Sequence, residues 1–326
     1  MNEMMRALQI MAPGDARVVE VPRPTPGPGE VLVRVERVAT CPQWDLHLMN
    51  GEPMFPGAPL EYPYTVGQPG HEMTGVVAEV GPGVASPAEG SHVAAWRDQG
   101  HHRPGAYAEY VVMDAGNVLP VPNDVDPLRV ASLELAMCVA GSVLYLRRAC
   151  DLAGRRAAVN GLGPAGLIAA ALLRAEGVAS VVGFEVSAAR RAGAQGTWVD
   201  EAADPTAAEV YDRFGARWSG RGAIDVAVDC VGYPQAVRFI MDVTSRAVAL
   251  FAVQRHDYVY ATAHAGLTVV GYPGHYREAA EFALERILSG AVDLRGLYGA
   301  VLPFERYAEG VELLRRQEAL KICFAP

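Results

Sequence analysis

The chain has 326 residues, of which 51% are hydrophobic and 20% charged, with a net charge of −9. That length suits two domains with ample core, and the acidic balance excludes a nucleic-acid or anionic-membrane surface. No uninterrupted run of about 18 apolar residues occurs, so no membrane span is expected. The opening M-N-E-M-M-R-A-L lacks a charged segment followed by an apolar one, so no secretory signal is expected either. Cys41, Cys138, Cys150, Cys230 and Cys323 are odd in number and widely spaced. That is no disulfide framework, and a cytoplasmic protein fits. Lys321 is the only lysine. This argues against Schiff-base chemistry on a buried lysine, and against a Tyr–Lys catalytic pair four residues apart, because Gln317 holds that spacing.

In chain order, residues 6–10 and 16–21 read as a hairpin around P-G-D. The proline-rich stretch P-R-P-T-P-G-P-G-E must be an extended connection. Residues 31–38 alternate, with Val31, Val33 and Val35 on one face and Arg34 and Glu36 on the other, as a half-buried antiparallel strand does. Residues 41–70 are loop-rich with a short helix around Asp45. Strands are expected at 73–80, 92–96 and 107–113. From Pro127 the period changes. Residues 128–150 predict a long helix broken near Gly141, and strand–helix units then repeat: strands at 224–230, 247–253 and 267–271, helices near 190 and at 236–243. Amphipathic helices at 277–288 and 306–316 and a last strand at 322–324 close the chain. The repeated units mean an α/β fold with a doubly wound parallel sheet, whose ligands sit beyond the strand C-termini.

The stretch from Ala157 to Glu185 carries the first chemistry. Small apolar residues lead into Gly161-Leu162-Gly163-Pro164-Ala165-Gly166, which fits G-x-G-x-x-G. The first glycine makes a tight turn, the second admits the pyrophosphate and the third lets the helix pack on the strand. The helix from Pro164 offers free N–H groups to phosphate. Glu185 ends the next strand, where a carboxylate takes both ribose hydroxyls and repels a 2′-phosphate. NAD is therefore the expected cofactor, with NADP left open by Arg190 and Arg191. Cys230 and Val231 end a later strand and are expected at the nicotinamide side, and Phe251 and Ala252 are expected among the cofactor-binding residues.

With Cys41, His71-Glu72 and Gly161–Gly166 together, the chain resembles the medium-chain dehydrogenase/reductase family of zinc alcohol dehydrogenase type. The blocks G-A-Y-A-E-Y at 105–110, D-C-V-G at 229–232 and L-P-F-E-R-Y-A-E-G-V-E-L-L at 302–314 add to the resemblance, which spans the whole length. It implies a GroES-like β-rich catalytic domain, residues 1–127 and 272–326, with an inserted Rossmann NAD-binding domain, residues 128–271. It also implies NAD(P)-dependent hydride transfer on a small alcohol or carbonyl substrate, in a homodimer or homotetramer.

The resemblance implies one catalytic zinc on Cys41 and His71, with Glu72 as ligand or support. Zinc of this kind takes about three protein ligands and keeps an open position. The remaining ligand stays open. Glu134 matches the family's Glu-Pro segment, whereas a gapless count from Gly161 reaches Met137, with Cys138 beside it. The family's proton-relaying Ser or Thr is missing, with Gln43 or Trp44 in its place and one residue extra before Asp45. His47 or Asp45 could relay through water. No structural zinc is expected, because residues 94–104 hold no cysteine, and His101 and His102 read as solvated loop residues. Trp44, Tyr64 and Trp96 are expected near the substrate. The leading expectation is a zinc- and NAD-dependent dehydrogenase of a secondary alcohol, polyol or sugar-like hydroxyl. The alternatives are a zinc-free reductase of quinones or activated alkenes, and a non-catalytic dinucleotide-binding protein.

Overall fold

The computed structural model describes residues 3–54, 57, 59–215, 223–253 and 255–326. They divide into two compact units, one of Met1–Leu135 with Leu294–Pro326 and one of Ala136–Asp293.

The first unit opens with the antiparallel hairpin β1 (Met4–Ala12) and β2 (Asp15–Pro22). After the proline-rich connection come β3 (Glu30–Ala39) and α1 (Pro42–Asn50), in which Pro42 takes the first helical position. There its missing N–H costs nothing. Then follow β4 (Glu72–Val80), β5 (His92–Ala95), β6 (Tyr110–Asp114), β7 (Val118–Pro120) and the short α2 (Pro127–Val130). The strand expected from residue 107 starts later. Tyr107 is fully buried, and Ala108 bridges to Ala7 instead of joining the β3–β6 ladder. β7, too short to show a period, is not apparent in the sequence.

α3 (Leu133–Ala149) runs from one unit into the other. The break expected near Gly141 falls instead at residues 131–132, between α2 and α3. Gly141 serves close packing: a Cβ there would come within 3.1 Å of Pro273 and 3.2 Å of the Tyr276 ring. The span Pro127–Ala149 is by length and composition long and apolar enough to cross a membrane, but its most apolar stretch is mostly buried inside the protein, as in a core helix.

The second unit continues with β8 (Arg156–Asn160), α4 (Pro164–Ala175), β9 (Ser180–Phe184), α5 (Ala188–Ala194), β10 (Glu201–Ala203) and α6 (Val210–Phe214). It ends with β11 (Ile224–Asp229), α7 (Pro234–Val243), β12 (Thr244–Leu250), β13 (Thr268–Gly271) and α8 (Arg277–Leu288). The six strands are all parallel, in the order β10-β9-β8-β11-β12-β13. The order reverses between β8 and β11, which makes the crevice beyond their C-termini the expected ligand position. Strand residues such as Ala158, Val182, Ala227 and Val248 are buried with Val237, Ile240 and Phe239 of α7 on one face, and their neighbours Ala157, Val159, Val181 and Val228, which point to the other face, are buried too, the two-sided burial that a parallel sheet requires.

The chain returns to the first unit as β14 (Tyr298–Pro303), α9 (Tyr307–Arg315) and β15 (Lys321–Ala325). The seven-stranded sheet runs β14-β15-β3-β4-β5-β7, with β6 also on β3. β15 lies antiparallel on β3, pairing Cys323 with Ala39 and Phe324 with Val38. That register carries Lys321 to the end of β3, just before Cys41. The unit boundaries thus fall after Leu135 and Asp293, whereas the sequence reading set them after 127 and 271. α2 packs on β3 and β4, and α8 packs on α4, so each flanking segment stays with the sheet it covers.

Candidate functional site

In the second unit the Gly-rich turn has the geometry its residues dictate. Gly161 has φ +93°, the left-handed region, and a Cβ on Gly166 would sit 1.8 Å from the Gly161 carbonyl oxygen. No other residue type fits Gly166 without moving backbone. A Cβ on Gly163 meets nothing within 4 Å, so the turn stays open on its outer side. Gly163 caps α4 without a side-chain partner, and Pro164 follows. The first-turn N–H groups, together with the helix dipole, suit an anion.

Glu185 is 7% exposed and stands at that turn. One carboxylate oxygen accepts from the Leu162 N–H at 3.0 Å and the other from the Ser187 N–H at 2.9 Å. Arg190 lies 3.8 Å from it. Arg191 is turned away, bonded to the carbonyls of Glu185 and Val186 and to Asp204. On the other side of the crevice, buried Asp229 ties three segments together. It accepts from Asn160 Nδ2 at 2.7 Å and from the Gly232 N–H at 2.9 Å. The Phe251 and Ala252 N–H groups both bond its carbonyl. Burial raises the Asp229 pKa, opposed by these hydrogen bonds. Cys230 is bonded through its N–H to the Asn160 carbonyl, burial pushes its thiol pKa well up, and Val231 lies against Gly161. Cys138 is buried and accepts from Tyr272 Oη at 3.1 Å, while Met137 is fully buried in the core.

In the first unit, Cys41 is the N-cap of α1 and its side chain makes no cap bond. Cys41, His71 and Glu72 place one donor atom each within 4.8 Å of one another. His71 Nδ1 lies 2.8 Å from the Pro69 carbonyl. That bond assigns the proton to Nδ1 and leaves Nε2 as the donor atom, the arrangement typical of metal-bound histidine. Nε2 lies 3.8 Å from a Glu134 carboxylate oxygen, both side chains being under a tenth exposed. Burial alone would lower the His71 pKa. The Cys41 hydrogen bond and the charges of Glu134, Cys41 and Glu72 outweigh it and raise it to about 10. A site that strongly favours an imidazolium is one that favours a cation.

Glu72 is already held by one. Both its oxygens accept from Lys321 Nζ, at 2.6 and 2.8 Å, and Lys321 also donates to the Thr40 carbonyl. The only lysine of the chain is fully buried. It is therefore a buried ammonium locked to a carboxylate, and the sequence offered one clue: a lone lysine opening the last strand of an arginine-rich chain.

Other expected residues fall elsewhere. Asp45 is fully buried and accepts from Tyr107 Oη at 2.8 Å and Tyr307 Oη at 2.7 Å. Burial raises its pKa to about 6, against those hydrogen bonds and the charges of His71 and Lys321. An enclosed carboxylate has no exit to water, which corrects the relay role expected of Asp45. His47 lies on the last turn of α1, 3.8 Å from Glu52. Trp96 is core, its indole N–H bonded to the Gly116 carbonyl, and Tyr64 packs on the same core. The Trp44 and His71 rings are tilted 59° to each other, with centroids 5.3 Å apart. His101, expected in solvent, meets Trp44 edge-on at 4.5 Å, whereas His102 is exposed. A small open cleft beside His71 is lined by Gln68, Asp98, Gln99 and Met113 among others.

Comparison with known proteins agrees with this geometry. Residues 27–123 match the alcohol dehydrogenase GroES-like domain. L-threonine 3-dehydrogenase of Pyrococcus horikoshii is 28% identical over 99% of both chains. The structure of 2R,3R-butanediol dehydrogenase from Bacillus subtilis covers 99% of both chains at 23% identity, with a TM-score of 0.83. A chain from Sinorhizobium meliloti 1021 solved with NADP covers 100% of both at 24% identity, with a TM-score of 0.83. With a GroES-like first unit, a Rossmann-ordered second unit and relatives aligned over its whole length, the chain is similar throughout to medium-chain dehydrogenases of zinc alcohol dehydrogenase type.

Proposed function

We propose that the protein is an NAD-dependent, zinc-assisted oxidoreductase that moves hydride between the nicotinamide and a secondary alcohol, polyol or sugar-like hydroxyl. The observation that carries this reading is the gathering of Cys41, His71 and Glu72 donors within 4.8 Å of one another, with a Glu134 carboxylate oxygen 3.8 Å from His71 Nε2. Thiolate, imidazole and carboxylate are the donors zinc takes, and they fit it. Zinc bound there would polarise the substrate oxygen and lower the hydroxyl pKa. Cys41 and His71 supply the soft donors, with the Pro69 carbonyl fixing the His71 tautomer. Glu134 supplies the carboxylate. Glu72 acts behind them: both its oxygens are bonded to Lys321 Nζ, which makes it a support for His71 and not a competing ligand. Asp45 anchors α1 through Tyr107 and Tyr307 and so fixes where Cys41 points.

In the second unit Gly161–Gly166 and the α4 N-terminus bind the pyrophosphate, and Glu185 takes the adenosine ribose hydroxyls. The Glu185 carboxylate opposes a 2′-phosphate, which supports NAD over NADP. Cys230, Val231, Phe251 and Ala252 shape the nicotinamide end. Relatives named as threonine and butanediol dehydrogenases support a small hydroxyl substrate. A cytoplasmic homodimer or homotetramer belongs to the same reading, with β13 as a free outer strand available for pairing; light scattering tests the size. The function is tested by metal analysis and by NADH formation over a panel of secondary alcohols and polyols. One zinc or more per chain with turnover is expected. A metal-free protein that instead reduces enones would replace this reading with the zinc-free reductase.

A further inference from the structure

Strand β15 carries neither Cys41 nor His71, yet it bonds the residue beside each of them. The ladder between β3 and β4 ends at the pair Ala39–Glu72. Cys41 lies beyond that rung on one strand, and His71 lies just before it on the other. No bond of that ladder therefore fixes the space between the two donors. β15 reaches further. It pairs Phe324 with Val38 and Cys323 with Ala39. Next along, the Thr40 N–H donates to the Ile322 carbonyl at 2.9 Å, and the Ile322 N–H donates to Thr40 Oγ1 at 3.0 Å. Lys321 then crosses from Thr40 to Glu72: its ammonium donates to the Thr40 carbonyl and to both Glu72 oxygens. An ammonium has three N–H donors and no acceptor, so these acceptors use its whole capacity. Thr40 and Lys321 are fully buried and Glu72 is 1% exposed. A single peptide bond joins Thr40 to Cys41, and another joins Glu72 to His71.

We propose that Lys321 is a positioning residue of the metal centre: it clamps Thr40 to Glu72 and so sets the spacing of Cys41 and His71 before a metal binds. This rests on the zinc reading and deepens it. A buried ion pair is weak evidence for stability, because apolar residues of similar volume often serve as well. A pair that ends beside each of two ligands has a geometric use instead. An apolar side chain fills the same space but cannot hold a carbonyl and a carboxylate at a fixed separation. Arginine is no equivalent, because its planar fork spreads the donors that an ammonium gathers at one point. Groups that hold metal ligands from behind change metal affinity by roughly ten- to a hundredfold when they are replaced. Here one side chain stands behind both ligands.

The test begins with E72Q/K321M, which removes the clamp and leaves no net charge behind, so that any change reports position and not Coulomb attraction. Zinc affinity, measured by competition with a chromophoric chelator, should fall by about ten- to a hundredfold. The visible bands of the cobalt-substituted protein, which report ligand geometry, should shift. K321R keeps the charge and should shift the bands with a smaller loss of affinity. L314A truncates the core on α9; it should lower the melting temperature and leave affinity and bands unchanged. Wild-type affinity and bands in E72Q/K321M or K321R, or an equal band shift in L314A, overturn the inference while the zinc reading stands. A wild type that binds no zinc overturns both. One measurement needs no variant. Lys321 is the only lysine, so feeding isotope-labelled lysine gives a single side-chain ammonium signal by NMR. A slowly exchanging signal is expected in the zinc-free and the zinc-loaded protein alike, because the clamp precedes the metal and survives it. A signal missing from the zinc-free protein, or lost on loading because Glu72 has left Lys321 for zinc, overturns the inference. Should E72Q/K321M fail to fold, K321R and this signal decide.

Discussion

The nucleotide crevice of the second unit and the Cys41 cluster of the first are both polar sites at the edge of a sheet, yet they are built by opposite means. The crevice is made of backbone. Its turn is residues 161–166, its acid lies one strand further on, and Glu185 finds its partners in the N–H groups of Leu162 and Ser187. The cluster is made of side chains. Cys41 comes from the start of α1, His71 and Glu72 from the start of β4, Glu134 from the first turn of α3 and Lys321 from β15. No spacing between those residues has meaning until the sheet is folded. A site written in backbone conformation is local and tolerates change outside its glycines. A site written in side chains depends on every strand that delivers one.

The largest expected effect separates the two sites. Cys41→Ser should remove most bound zinc and lower kcat/KM by roughly a thousandfold or more, the several kcal/mol of charge stabilisation that a catalytic metal supplies. NADH affinity, measured by fluorescence titration of the same variant, should be unchanged. Chelation of the wild type should reproduce both results, and zinc should restore activity. A Cys41→Ser protein that keeps its zinc and its activity would remove the cluster from the proposed chemistry.

This contrast also explains what is legible in the sequence. Five of the six parallel strands of the second unit, all but the three-residue β10, are visible there with the Gly161–Gly166 turn and Glu185, because each depends on neighbours in sequence. Gly166 can be nothing else with the Gly161 carbonyl 1.8 Å from its missing Cβ. Cys41 and His71 stand out only through resemblance to a family, and the Lys321 partner of Glu72 does not stand out at all. Nothing near residue 321 announces that β15 will lie on β3 and bring an ammonium to Glu72. Nor does the loop at 97–104 announce that Gln68 and Gln99 will pin it, or that His101 will meet Trp44. The helix break expected near Gly141 fails for a related reason. Judged by its neighbours alone, a glycine is a helix breaker, but Gly141 serves packing against Pro273 and Tyr276, which lie more than a hundred residues away.

If the cluster depends on remote strands, its buried ion pair should be its weakest point. Lys321→Met leaves Glu72 buried without a counter-ion, and breaking such a pair costs about 3–5 kcal/mol. Adding Glu72→Gln removes the stranded charge, so the double variant should be more stable than Lys321→Met alone. Urea unfolding of metal-free protein measures both. A double variant no more stable than the single would mean that the ammonium matters only through packing.

A smaller effect is expected from Asp45, and its sign is fixed by the direction of the shift. The folded-state pKa of about 6 lies above the ordinary aspartate value of 3.8, so the folded protein binds this proton more tightly than the unfolded chain. The contribution of Asp45 is therefore most favourable at low pH and declines as pH rises from about 4 to 6. Over that window it should remove on the order of 2–3 kcal/mol from the metal-free protein. Asp45→Asn cannot titrate, so its stability should lack this decline, whatever its absolute value. Parallel urea midpoints at several pH values for both proteins test this, and superimposable pH slopes would rule it out.

The smallest effect returns to the crevice. Glu185 holds two backbone N–H groups that an incoming ribose must share, so it both shapes the empty turn and discriminates the cofactor. Glu185→Ala removes the repulsion toward a 2′-phosphate and leaves Arg190, which lies 3.8 Å from the carboxylate, without its partner. The ratio of kcat/KM for NAD to that for NADP should fall about tenfold, the roughly 1.4 kcal/mol expected of one exchanged charge contact. Because the turn is held by its glycines, the melting temperature should change by only a few degrees, in contrast to Lys321→Met. If Glu185→Ala instead unfolds the second unit, the crevice depends on its side chain as heavily as the cluster does on Lys321, and the distinction between the two sites fails.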